Sequence, residues 1–306
     1  MTQLLDKFVK HYTSVSQKHK FRRLYEKSWN GISRLREVQA IKEYLLYPNV
    51  GVDFLNKNVA TPLSNHEFDV KFCSIFCHQK PRVTRTKTSK QKNKGSTDKC
   101  EIGDLFVLFL LLDRNDALHY CAGSLFQAKL KSKLDSASQK ALYDEDLDFL
   151  VPEYLATRLS PRSPYRKMPT LEQGRAKALR YMILNPTFSP NNVQARYSPW
   201  ENDYQLRAST FLDGLLSGTD GLKIEQQSNP NGAWEMIASD LLFTALQVKS
   251  NRPPRGNTDA LKVATSHFNS FLDYNNYSLQ IEDHEPPSVP TMLAIVQANS
   301  SEEPRG

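Results

Sequence analysis

Asp104 and the triplet Gln127-Ala128-Lys129 stand at the two ends of the most apolar stretch of this 306-residue chain, CEIGDLFVLFLLLDRNDALHYCAGSLFQAKL over residues 100–130. A carboxylate, an amide oxygen, a backbone carbonyl and an amine are together the parts of a hydrolytic site built around a hard cation. Mg²⁺ takes oxygen ligands and keeps several of its waters, and Mn²⁺ accepts the same donors. Asp104 would supply one carboxylate, Gln127 its amide oxygen and Ala128 its carbonyl. Such an ion polarises a phosphodiester and acidifies a bound water. Lys129 would orient or deprotonate that water and offset charge on the phosphorane. The competing reading is solvation of two strand ends by their polar residues.

Stretches 103–113 and 118–129 read as strands, the first apolar on both faces as in a central, fully covered strand. RNDA between them is a turn signal. A two-residue turn at Asn115-Asp116 pairs Arg114 with Ala117 and Asp113 with Leu118. Carried outward, that register sets Asp104 opposite Gln127, about 4.5–5.5 Å apart at Cβ. Lys129, two residues further, shares the face of Gln127. A bulge would shift this pairing by one. Glu101 falls on the opposite face of a continuous strand but joins the site if residues 100–103 are loop, and Gly103 favours a bend.

Around this hairpin, apolar residues from Phe21 to Leu45 recur at helical steps, predicting helix over 16–47 with Gly31 as an interruption and Pro48 as the stop. FDVKFCSIFC (68–77) reads as a strand, 130–147 as helix, 152–169 as an irregular proline-rich crossing, and 176–184 as a strand ended by Asn185-Pro186. Coil to Trp200, helices over 204–217, 233–249 and 258–273, a strand at 291–298 and a disordered tail complete the reading. Asp240 and Lys249 read as exposed helix charges.

A D-(x)n-(E/Q)xK arrangement on adjacent strands, preceded by a helix carrying an acid, resembles the PD-(D/E)xK nuclease superfamily. Here it stands as Asp104 followed by Gln127-Ala128-Lys129, the QxK variant of some restriction endonucleases, and it spans roughly residues 20–185. The resemblance implies an α/β fold of mixed α+β sheet type with a restriction-endonuclease-like core (1–190) and an Mg-dependent DNA endonuclease activity; the C-terminal part (191–306) matches no family pattern and reads from its own residues as largely helical. It implies a helical acid too, among Glu26, Glu37 and Glu43, with Glu37 preferred for its mid-helix place. The HQKPRV…CEIGDLF…SLFQAKL layout is similar to that of bacterial restriction or anti-phage defence proteins, which implies DNA and a helicase or ATPase as partners. Gln127 leaves one sure carboxylate, so a catalytically inactive DNA-binding or scaffold subunit is the alternative.

A formal charge of +7 also suits a polyanionic partner. RVTRTKTSKQKNKGSTDK (82–99) carries Arg82, Arg85, Lys87, Lys90, Lys92, Lys94 and Lys99 against Asp98 alone. It reads as a mobile basic loop that would grip phosphates, with His78 and Gln79 just ahead of it. Zinc is disfavoured: Cys73 and Cys77 in an extended strand lie about 13 Å apart, and Cys121 sits mid-strand, although Cys100, His78 and His119 are nearby in sequence. The chain has no GxxxxGK[ST] and no GxGxxG, which excludes a P-loop ATPase. The longest apolar run, Leu105–Leu112, is too short to cross a membrane. With four cysteines and no apolar leader, a cytoplasmic location is expected.

Overall fold

The computed structural model describes residues 3–77, 80–86, 99–134, 136–156, 163–186, 192–200, 206–225, 233–246 and 287–299. Helices α1 (Gln3–His19), α2 (Phe21–Lys27), α3 (Glu37–Leu46), α4 (Gly51–Leu55) and α5 (Thr61–Leu63) lead into strand β1 (Phe68–Ile75). Strands β2 (Arg82–Arg85) and β3 (Lys99–Glu101) precede the hairpin of β4 (Leu105–Leu112) and β5 (Leu118–Lys129). Then come α6 (Ala137–Asp144), β6 (Asp148–Leu150), α7 (Glu153–Ala156), β7 (Tyr165–Lys167), α8 (Arg175–Ala178), β8 (Leu179–Ile183) and β9 (Gln194–Tyr197). Helix α9 (Ala208–Leu216), β10 (Leu222–Lys223), α10 (Ala233–Leu246) and β11 (Thr291–Ala298) follow.

The fold is α/β with a mixed seven-stranded sheet in the order β1-β11-β4-β5-β8-β9, and β10 pairs β5 beside β8. Strands β4 and β5 are antiparallel, and β8 runs parallel to β5. A second sheet, β3-β2-β6-β7, is antiparallel throughout. All eight residues of β4 are buried, as its two apolar faces require. Leu105, Val107, Phe109 and Leu111 pack with α1, α2, α3 and α9, and Phe106, Leu108, Leu110 and Leu112 with α6, α10 and the second sheet. Each such side chain taken out of water contributes about 1.5–3 kcal/mol before entropy is counted.

Several expectations need correction. The helix expected over 16–47 is three helices. Lys20 (φ 57°) takes a left-handed conformation between α1 and α2, Gly31 (φ 82°) breaks the chain again, and α3 starts only at Glu37. Leu35 is 82% exposed and Val38 45%, so neither belongs to the core. The ends of the expected basic loop are not loop, since Arg82–Arg85 and Lys99–Glu101 pair with each other. The proline-rich crossing includes α7 and β7, and the coil before Trp200 contains β9. Asp240 is buried and bound by Arg166 Nε at 2.5 Å. His78, Gln79, Lys87, Lys90, Lys92, Lys94, Lys249, the helix at 258–273 and the tail lie outside the described residues.

The C-terminal part holds two of the expected helices and the expected strand at 291–298. The helices are α9 and α10, and the same part gives β9, β10 and β11 to the main sheet. TMLAIVQA enters between β1 and β4, antiparallel to the first and parallel to the second. The sheet therefore draws strands from both sides of residue 190, and its middle needs the last strand in sequence. Among the described residues, no helix is long and apolar enough to cross a membrane.

Candidate active site

The β4–β5 hairpin closes one residue differently from the simple turn. Asp113 N donates to Ala117 O at 2.9 Å, leaving Arg114, Asn115 and Asp116 as a three-residue loop. Asp116 takes φ 68°, as the third residue of such a loop does. The Asp113 carboxylate accepts from Asn115 N and Ala117 N, each at 2.8 Å, which favours this turn. The register then changes by one: Leu112 faces Leu118, Leu111 faces Tyr120, and His119 is the extra residue of a bulge. The two departures cancel. Leu105 faces Phe126, and Asp104 N donates to Phe126 O at 2.7 Å, so Asp104 comes opposite Gln127 as expected.

Their side chains meet. Asp104 Oδ2 accepts a short bond from Gln127 Nε2 and a 2.8 Å bond from Ala128 N. Gln127 Oε1 is buried without a hydrogen-bond partner among the described residues. Turning the amide round would set that oxygen against Asp104 Oδ2, so the carboxylate fixes its orientation. Lys129 is buried on the same face and donates from Nζ to Gln139 Oε1 on α6 at 2.8 Å. Ser136 caps that helix, accepting from Gln139 N.

Residues 100–103 are not all loop: Cys100 and Glu101 end β3, paired to β2 in the second sheet, and the chain bends only through Ile102 and Gly103 before Asp104. Glu101 arrives through a residue that the sequence did not single out. Lys80 Nζ lies 3.2 Å from Glu101 Oε2 and makes a short ion pair with Asp104 Oδ1. Backbone geometry holds this arrangement. Arg82 faces Glu101 across β2 and β3, Ile102 N donates to Pro81 O at 3.1 Å, and Tyr143 Oη donates to Ile102 O at 3.0 Å. Any signal for Lys80 was hidden among the many cations that follow it, and only the β2–β3 pairing reveals its position.

Of the three candidate helical acids, Glu37 is the one at this sheet edge, where its Oε1 accepts from Leu130 N at 3.0 Å just beyond Lys129. Glu26 pairs with Arg207, and Glu43 accepts from Ser33 N and Gln39 Nε2. Arg82 is exposed. Arg85 is not a free phosphate contact, because its guanidinium grips Asp146 through Nε (2.6 Å) and Nη2 (3.0 Å), with both side chains nearly buried.

Burial pushes the Asp104 carboxyl up, against the pull of the Lys80 ammonium and the Ala128 amide. Burial alone would lower Lys80, but Asp104 and Glu101 reverse this and hold it charged. The four cysteines form no disulfide and are buried; burial pushes Cys73 up to about 12 and Cys100 to about 11, so both are protonated thiols at neutral pH.

The donors suit a hard cation in kind. Asp104 offers a carboxylate, and Gln127 an oxygen with no partner among the described residues. Ala128 directs its N–H toward Asp104, and in a strand its carbonyl points to the same side. Among the described residues no group of three or more His, Cys, Asp or Glu is placed to hold a metal, so a cation here would depend on amide and carbonyl oxygens. The chain matches no protein-family model, no curated protein and no solved structure.

Proposed function

We propose that this protein is a divalent-metal-dependent DNA endonuclease of PD-(D/E)xK type. The observation that carries the reading is the meeting of Asp104, Gln127 and Ala128 at one sheet edge, with Lys129 and Glu37 beside them. The order of hairpin, α6 and a parallel β8 agrees with the core that the resemblance implies. The inserted β11 is an addition to that core.

Asp104, Gln127 Oε1 and the Ala128 carbonyl would hold Mg²⁺ or Mn²⁺, which when bound supplies an acidified water and a polarised phosphate. Lys129, positioned by Gln139, would stabilise charge developing on the phosphoryl oxygens. Exposed cations follow or flank the segments that meet here. Arg36 sits in the segment tied down by Asn185 Nδ2 to Arg34 O (2.8 Å) and Arg34 Nη1 to Leu184 O (3.2 Å), and Lys131 and Lys133 follow β5. These side chains and Arg82 would grip DNA phosphates. In this reading the protein is the effector of a bacterial restriction or anti-phage system, and a separate helicase or ATPase supplies any energy-driven step.

A second reading is a nuclease-like DNA-binding or scaffold subunit without catalysis. It is favoured by the Asp104 carboxylate, which already has partners on both oxygens. Supercoiled plasmid with Mg²⁺ or Mn²⁺ separates the two. Wild type should nick or cut it, and Asp104→Asn and Lys129→Ala should lose about 10²–10³-fold. Cutting by Lys129→Ala at the wild-type rate would overturn the role of Lys129. Salt-sensitive binding that survives Asp104→Asn, without cutting by any variant, would establish the scaffold reading.

A further inference from the structure

Lys80 has no part in the motif, yet it makes the closest charge contact of the site. Its ammonium bridges two carboxylates from different elements, Asp104 ahead of β4 and Glu101 at the end of β3. The Lys80 and Asp104 side chains are 7% and 5% exposed, and Glu101 is 42% exposed. An ammonium withdrawn from water this far must be paired. The other Asp104 oxygen is filled by Gln127 Nε2 and Ala128 N, so Lys80 occupies the side of the carboxylate that remains for a cation. Gln127 Oε1, on the amide whose nitrogen meets Asp104, is buried with no hydrogen-bond partner among the described residues.

We propose that Lys80 is the internal counter-ion of this site: it holds Asp104 and Glu101 together before a divalent cation arrives, and the cation binds by displacing its amine from Asp104 Oδ1. The inference rests on the metal-dependent reading above. Its consequence is that Lys80 weakens metal binding, because the incoming ion must break an existing pair and share the site with a positive charge.

The test is Mn²⁺ binding to the full chain at pH 8, followed by the electron paramagnetic resonance signal of free Mn²⁺, with no DNA and no turnover. Lys80→Met should bind Mn²⁺ at least tenfold more tightly than wild type. Lys80→Arg, which keeps the charge, should stay within threefold. Asp104→Asn should abolish binding in either background. Thermal melts establish that each variant is folded; if Lys80→Met is not, Lys80→Gln is read by the same criterion. Asp104-dependent binding that is equal or weaker without Lys80 overturns the counter-ion and leaves the metal site standing. Absence of any Asp104-dependent binding in every variant overturns both.

Discussion

Replacing Lys80 by Met tests the charge cluster through stability, with metal removed by chelator. The pair is buried on both sides, and breaking such a pair by deleting one partner costs about 3–5 kcal/mol. Two features reduce this for Lys80→Met. Asp104 keeps its bonds from Gln127 and Ala128, and it can take up a proton. About 2–3 kcal/mol should remain. In Asp104→Asn, Lys80 keeps Glu101 as its one charged partner among the described residues, half-exposed and worth under about 1 kcal/mol, so a similar loss is expected. The double variant has no buried, unpaired charge and should lose little more than either single one. The coupling energy should therefore be about 2–3 kcal/mol, measured by urea unfolding of all four proteins. The sign of the pH response is a second check. Without Lys80, burial leaves the Asp104 carboxyl above its unfolded value, so the folded state binds more protons. Lys80→Met should then gain stability as pH falls from 8 toward the ordinary carboxylate range, by up to about 1.4 kcal/mol per unit. A coupling below about 0.5 kcal/mol, or a variant that loses stability over that range, would refute the argument.

Gln127→Glu should increase Mn²⁺ affinity by adding a second carboxylate beside Asp104, while the repulsion and lost amide donor lower metal-free stability by about 2–4 kcal/mol; titration and urea unfolding read the two effects separately. Arg85→Ala should cost about 3 kcal/mol by stranding the buried Asp146, with DNA affinity nearly unchanged. Arg82→Ala should do the reverse, leaving stability within about 0.5 kcal/mol and reducing the salt dependence of DNA binding by about one phosphate contact. Leu293→Ala, in the middle of β11, should cost about 2–5 kcal/mol in urea unfolding; a loss below 1 kcal/mol would mean that this strand is not part of the central sheet.

The hairpin was legible in the sequence because its determinants are local. An apolar run buried on both faces, a turn signal and the two-residue period of a strand are enough to set Asp104 opposite Gln127. The agreement still rested on tertiary detail, since the three-residue loop and the bulge at His119 each moved the register and together restored it. The span and apolar character of β11 were equally clear, because TMLAIVQA has no charge to keep it from a covered strand. Its place between β1 and β4 was not, because strand order follows from which distant partners bury the most apolar surface. The same holds for the charges. By itself, the sequence determined that a carboxylate, an amide and a lysine come to one sheet edge. Only the tertiary structure decided that Glu37 reaches that edge, that Arg85 turns away to Asp146, and that Lys80 stands between Glu101 and Asp104. An ion pair forms wherever packing brings opposite charges together out of water, and residue spacing along the chain carries no record of that meeting.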